Sequence, residues 1–217
     1  MKRVRFDQLP RLTRVSLIVM VLGVATAMSA CAPLVLGSAV GGALMVTDRR
    51  TSGTQVEDQG IELKAANRLR EALSKDSHVN VTAYNRVILL TGEVAREADK
   101  ITAEQVAAGT ENVRSVVNEL VVAGVSSLGS RSSDIWVLGK VKATFVDARE
   151  LQANAFKVVV ERGEVFLMGM VTEREARYAG ELAASVKGVH KVVKVLHIIT
   201  EDELARKQPA PPAANNR

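Results

Sequence analysis

Cys31 is the only cysteine in the 217-residue chain, and it stands at the end of an apolar run. A lone thiol cannot close an intramolecular disulfide, so in an oxidising compartment it needs another use. Its setting narrows that use. Lys2, Arg3, Arg5, Arg11 and Arg14 make a basic n-region, Val15 to Val24 an apolar h-region, and Ala25 to Ala30 a small-residue cleavage zone. The pattern predicts a signal peptide over residues 1–30, with Cys31 immediately beyond it. Two other readings stay open at this point. The thiol could pack as a small hydrophobe, or the segment could be an uncleaved anchor, because apolar sequence resumes from Ala32 to Val46. Pro33, Gly37, Gly41 and Gly42 make that second stretch a poor spanning helix beside the leucine- and valine-rich first one.

Elsewhere the residue types that do chemistry are scattered. His78, His190 and His197 lie singly, with neither the i, i+4 spacing nor the acid and cysteine company of a metal site. His190 and His197 are expected at strand edges. No glycine-rich phosphate loop precedes a helix. Glu173 and Glu175 invite reading as an acid pair, but i, i+2 side chains on a helix point apart. They suit a helix N-terminus instead, where the dipole favours negative charge. No catalytic residue, metal ligand or cofactor is assigned, and the chain is expected not to be an enzyme.

The net charge of +5 and pI near 9.5 suggest a basic protein, but the excess is concentrated in the signal. Residues 1–30 hold five of the 29 Lys and Arg and one of the 24 acids, which leaves 24 basic and 23 acidic residues, net +1. Nucleic-acid binding thereby loses its main electrostatic argument. Only seven aromatics occur, so the cores must be aliphatic and alanine-rich.

Self-comparison divides the chain. The segment from Val87 to Val94 (VILLTGEV) corresponds to Glu164 to Val171 (EVFLMGMV), shifted by 77 positions. Asn112 to Val117 then matches Gly188 to Val193 at a shift of 76. Alternating strands precede these glycines, with Val79, Val81 and Ala83 in one copy and Phe156, Val158 and Val160 in the other. Period-two alternation predicts one buried and one wet sheet face. Each copy reads as helix (Ile61 to Leu73; Ile135 to Val146), two strands joined by a tight turn (Asn85-Arg86; Arg162-Gly163), helix (Glu97 to Ala108; Glu173 to Val186) and strand (Ser115 to Val122; Lys191 to Thr200). The order αββαβ predicts an α+β fold with two helices on one face of a small three-stranded sheet. Expected boundaries are a tether over 31–56, domains over 57–125 and 134–200, a Gly/Ser-rich linker over 126–133 and a disordered tail over 201–217.

Met28-Ser29-Ala30-Cys31 resembles the lipobox of bacterial lipoproteins, with Met in place of the usual Leu. The resemblance implies that Cys31 is acylated with palmitate-type chains and becomes the first mature residue. Ala32 after the cysteine, rather than Asp, implies sorting to the outer membrane. The repeats resemble BON domains, whose marks are a Gly-x-Val ending the second strand and a Gly-Val-x-x-Val-Val approach to the last. Gly92-Glu93-Val94, Gly169-Met170-Val171 and Gly188-Val189-His190-Lys191-Val192-Val193 fit, while Asn112 replaces the glycine in the first copy. Taken with the lipobox, the likeness is to the dual-BON-domain outer-membrane lipoproteins.

The repeats differ in charge. Glu57 to Val125 carries eight basic and eleven acidic residues, net −3, and Arg131 to Thr200 carries eleven and eight, net +3. A basic second copy could meet an anionic partner, although surface drift would give the same count. Leu138, Val141 and Phe145 form the stripe that should face the sheet. Trp136 lies about 160° from Leu138 on the wheel at 100° per residue, with Lys140 on its side. An outward tryptophan beside a lysine suits a lipid interface; the alternative is a tryptophan tucked against the domain linker. The resemblance implies that the second BON domain binds anionic phospholipid, such as phosphatidylglycerol or cardiolipin, in support of envelope integrity. It also implies enrichment at the division site and a link to the outer-membrane assembly machinery. The other functional class is a periplasmic protein–protein adaptor or stress chaperone that does not bind lipid.

Overall fold

Two buried aspartates, one per repeat, hold the hairpin turns. Asp58 accepts the backbone N–H groups of Asn85 (2.7 Å) and Arg86 (2.8 Å) on its two carboxylate oxygens. Asp134 does the same for Arg162 (3.0 Å) and Gly163 (2.9 Å). All four turn residues have positive φ (50°, 65°, 54° and 73°), as a type I′ turn requires. Three of them are not glycine, so the conformation is costly, and the carboxylate forks offset that cost.

A computed structural model describes residues 48–207. Cys31, the expected signal peptide over 1–30 and residues 208–217 lie outside the described residues. The first repeat runs α1 (Ser52–Ala72), β1 (His78–Tyr84), β2 (Val87–Val94), α2 (Glu97–Ala108), β3 (Ser115–Asn118) and β4 (Val121–Val122). The second runs α3 (Leu128–Asp147), β5 (Phe156–Glu161), β6 (Glu164–Val171), α4 (Glu173–Ser185) and β7 (Lys191–Ile198), followed by α5 (Glu201–Lys207). In each, the hairpin is antiparallel and the last strand joins the central one in parallel, across the second helix. The expected last strand of the first repeat is broken into β3 and β4. There Asn118 accepts the Leu120 N–H on its side chain, and Leu120 turns into the core.

Three expected loop segments are helical in part. The tether ends at Thr51, whose hydroxyl accepts from the Thr54 N–H and caps α1. The linker ends at Ser127, which caps α3 in the same way through Ser130, so 128–133 is helix. The tail begins with α5, because Thr200 and Glu203 cap its start reciprocally and Leu204 is buried. In the first two cases the hydrophilic composition reflects exposed first turns, which leave no apolar stripe to read.

Each helical layer covers one sheet face. Ile61, Ala65 and Leu69 of α1 with Ala103 and Ala107 of α2 pack on Ile88, Leu90 and Val94. Val137, Val141 and Phe145 of α3 with Ala176, Ala179 and Ala183 of α4 pack on Val165, Leu167 and Val171. The expected stripe is therefore rotated slightly: Val137 is fully in the core, and Leu138 is only partly buried.

The opposite sheet faces are not wet. Tyr84 and Leu89 of the first repeat meet Phe166, Met168 and Met170 of the second, and Ile199 and Leu204 join them in one buried cluster. The expectation of one solvated face fails because each repeat supplies the other's cover, giving four layers: helices, sheet, sheet, helices. Consequently β2 and β6 are buried along almost their whole length.

Candidate functional site

The outward side of α3 carries four exposed apolar side chains among polar and charged ones. Trp136 is 76% exposed and Ile135 70%, and Leu128 (81%) and Val146 (71%) extend the same helix surface towards its two ends. The core stripe from Val137 to Phe145 fixes the helix, so these side chains stay outside the core. Lys140, one turn beyond Trp136, is exposed and its Nζ donates to the Lys187 carbonyl in the turn before β7. Lys142 is exposed on the same helix. Trp136 and Lys140 thus lie on one surface, as the helical wheel anticipates; the wheel reading did not include Leu128, Ile135 and Val146. Leu128 escaped because it fell in the expected linker. No helix among the described residues is long and apolar enough to cross a membrane.

A second constellation pins the chain before α1. Arg49 makes a bidentate ion pair with Glu175 (2.7 Å to each oxygen) and donates to the Met170 carbonyl (3.0 Å). Burial disfavours the Glu175 carboxylate, but the Arg49 guanidinium and the Thr172 N–H outweigh it and hold its pKa below the usual range. Glu175 is therefore more than an acid near a helix dipole: it closes a capping box with Thr172 and anchors the incoming chain. The next residue, Arg50, pairs with Asp58 (2.6 Å) and Asp48 (2.7 Å) and lies 4.0 Å over the Tyr84 ring. Tyr84 in turn accepts the Met170 N–H on its hydroxyl, and burial pushes its pKa up to about 12.

The third constellation lies between the repeats. His78 is not isolated: its Nδ1 is 3.2 Å from Glu93, directly opposite it in the β1–β2 register. Glu161, from the other repeat, brings a carboxylate oxygen within 4.8 Å of both. Sequence spacing could not show this, because Glu93 and Glu161 stand 68 positions apart and are brought together only by the packing of two sheets. His190 precedes β7, with its N–H on the Gly163 carbonyl, and His197 lies on the edge strand β7 beside Asn85.

The BON domain family matches residues 58–124 and 133–200, one copy for each observed repeat. The outer membrane lipoprotein DolP of Haemophilus influenzae is 38% identical over 177 residues, covering 80% of this chain and 91% of that protein. The chain belongs to the DolP family. A second relative of this DolP-family chain is a 21 kDa hemolysin of Actinobacillus pleuropneumoniae, 35% identical over 154 residues and covering 70% and 79% of the two chains. A solved C-terminal domain of CdsD, a structural protein of the type III secretion system of Chlamydia trachomatis, overlaps at a TM-score of 0.28 and 11% identity. It covers 64% of this chain and 96% of that one, too loosely to bear on this DolP-family fold.

Proposed function

We propose that the protein is a non-catalytic outer-membrane lipoprotein, acylated at Cys31, whose second BON domain rests on anionic phospholipid through the outer side of α3. The observation that carries this is Trp136: a tryptophan 76% exposed on a helix whose other side is fully committed to the core. With Ile135 beside it and Lys140 one turn on, the surface offers apolar side chains for shallow insertion and charge for phosphatidylglycerol or cardiolipin headgroups. Basic residues near such a surface contribute about 1 kcal/mol each. The net +3 of the second repeat acts in the same direction. The envelope location belongs to the same reading, supported by the name of the Haemophilus relative and the lipobox; support of envelope integrity, division-site enrichment and contact with the outer-membrane assembly machinery are what the family resemblance implies.

Vesicle flotation with protein-free liposomes tests it. Trp136→Ala should weaken binding to phosphatidylglycerol vesicles and Lys140→Glu should weaken it further at low salt, the second effect fading as salt rises. Both variants should melt within about 2 °C of the wild type, since surface changes cost little. Binding that is absent from protein-free vesicles would instead favour the adaptor class. Metabolic labelling with a fatty-acid probe checks the anchor: label on the wild type and none on Cys31→Ser.

A further inference from the structure

The two ends of the inter-repeat interface occupy equivalent positions and have opposite chemistry. At the 77-residue shift, Tyr84 corresponds to Glu161, Glu93 to Met170, Thr91 to Met168 and His78 to Ala155. Tyr84 of the first repeat meets Met170 of the second, and Glu161 of the second meets Glu93 of the first. One end is apolar and sealed by Arg49 and Arg50. The other collects two carboxylates and an imidazole, although the first end shows that the fold accommodates Tyr, Met and Ala at those positions.

The polar end carries surplus negative charge. Glu93 is fully buried; the Ser126 N–H, His78 and Arg162 compensate its burial and lower its pKa. Arg162 reaches it at 3.4 Å from an exposed position. Glu161 is 8% exposed and accepts one hydrogen bond, from Asn80 (2.8 Å). Among the described residues no lysine or arginine pairs with it, and burial together with the Glu93 charge raises its pKa. Thr91 Oγ1, two residues before Glu93 on the same strand face, is buried with no partner. A buried carboxylate in this position needs either a proton or a cation.

We infer that His78, Glu93 and Glu161 form a divalent-cation site of the zinc type that ties the two BON domains together. One nitrogen and two carboxylates are a donor set that zinc accepts, with water completing four-coordination. Metal–ligand bonds of about 2.0–2.1 Å at tetrahedral angles put neighbouring donors about 3.3 Å apart. The His78–Glu93 separation of 3.2 Å already has that spacing. Glu161 offers a carboxylate oxygen within 4.8 Å of both, so a bound ion would have to draw this third donor in. Water and ion have an entry path: His78 and Glu161 both line a cleft of about 180 Å³, with Asn80 and Arg131 on its walls. Since two ligands come from one repeat and one from the other, the ion would act on the interface rather than on either core.

The test uses the full chain in detergent, stripped with a chelator and titrated with zinc chloride. Zinc at about a hundredfold excess over Kd should raise the melting temperature by roughly 5 °C or more. Chelator should reverse the rise. His78→Ala and Glu161→Gln should each remove it, while His190→Ala and His197→Ala keep it. All four variants retain Cys31, so thiol binding cannot imitate the pattern. Glu161→Gln should also melt higher than metal-free wild type at pH 8, because it removes the uncompensated carboxylate. No shift with zinc in the wild type would overturn the site, and a Glu161→Gln variant that then melts like the wild type would mean the cluster holds a proton instead. A shift that persists in both ligand variants would assign the zinc to the surface and overturn it equally.

Discussion

Glu175 is buried beside Arg49, and its folded pKa lies below its unfolded one. The stabilisation it contributes is present above the unfolded value of about 4.3 and is lost as pH falls through the folded value. Arg49→Met should therefore cost about 3 kcal/mol at pH 7, by stranding a buried carboxylate, and far less at pH 3. Urea midpoints of the two proteins measured from pH 3 to 7 check both the size and the sign. Asp134 makes a different demand, since its two oxygens satisfy two turn N–H groups. Asp134→Ala should lose about 1.5–3 kcal/mol, and Asp134→Asn, which keeps one acceptor, roughly half of that. Denaturant titration of the three proteins checks the ranking. A repeated cue for this role was present in the chain: Asp58 and Asp134 each stand three residues before the first core position of a helix, Ile61 and Val137.

At the scale of elements, the glycines of Gly92-Glu93-Val94 and Gly169-Met170-Val171 acquire a physical reason. A Cβ on Gly92 would lie 2.0 Å from the His78 carbonyl oxygen, and one on Gly169 would lie 2.5 Å from that of Ala155. The central strand passes so close to the start of the hairpin that no side chain fits. Gly169→Ala should consequently destabilise the chain by more than 2 kcal/mol, as forced overpacking against backbone does. Leu167→Ala, which empties a fully buried site among the core residues Val141, Phe145 and Val165, should cost about 2–5 kcal/mol. Thermal melts of both variants check these values. The order of helices and strands and both turns were legible because period-two and helical patterns survive inside each repeat. The starts of α1 and α3 were not, since Ser52 to Glu57 and Leu128 to Ser133 bury almost nothing and are fixed by hydroxyl caps. Trp136 and Lys140 were legible from the wheel, whereas the His78, Glu93 and Glu161 cluster was not: it depends on the contact between sheets, which no local pattern encodes.

For the molecule as a whole, that contact decides how it unfolds. Phe166, Met168 and Met170 alternate with core residues on β6, so each repeat alone would expose an apolar sheet face. Met168→Asp should destabilise the full chain by several kcal/mol, about the cost of an unpaired buried charge, and uncouple the two repeats. Urea unfolding followed at Trp136 and by far-ultraviolet circular dichroism should give coincident transitions for the wild type and separated ones for the variant. The neighbours Arg49 and Arg50 add a further property. One is clamped to Glu175 in the second repeat, the other to Asp58 in the first, and both precede α1. Tension arriving along the backbone from the N-terminal side is therefore delivered to the second repeat before it reaches the first helix. The chain carries its load at a rivet between the domains, and a pull from the N-terminal side reaches that rivet before it can pull either domain apart.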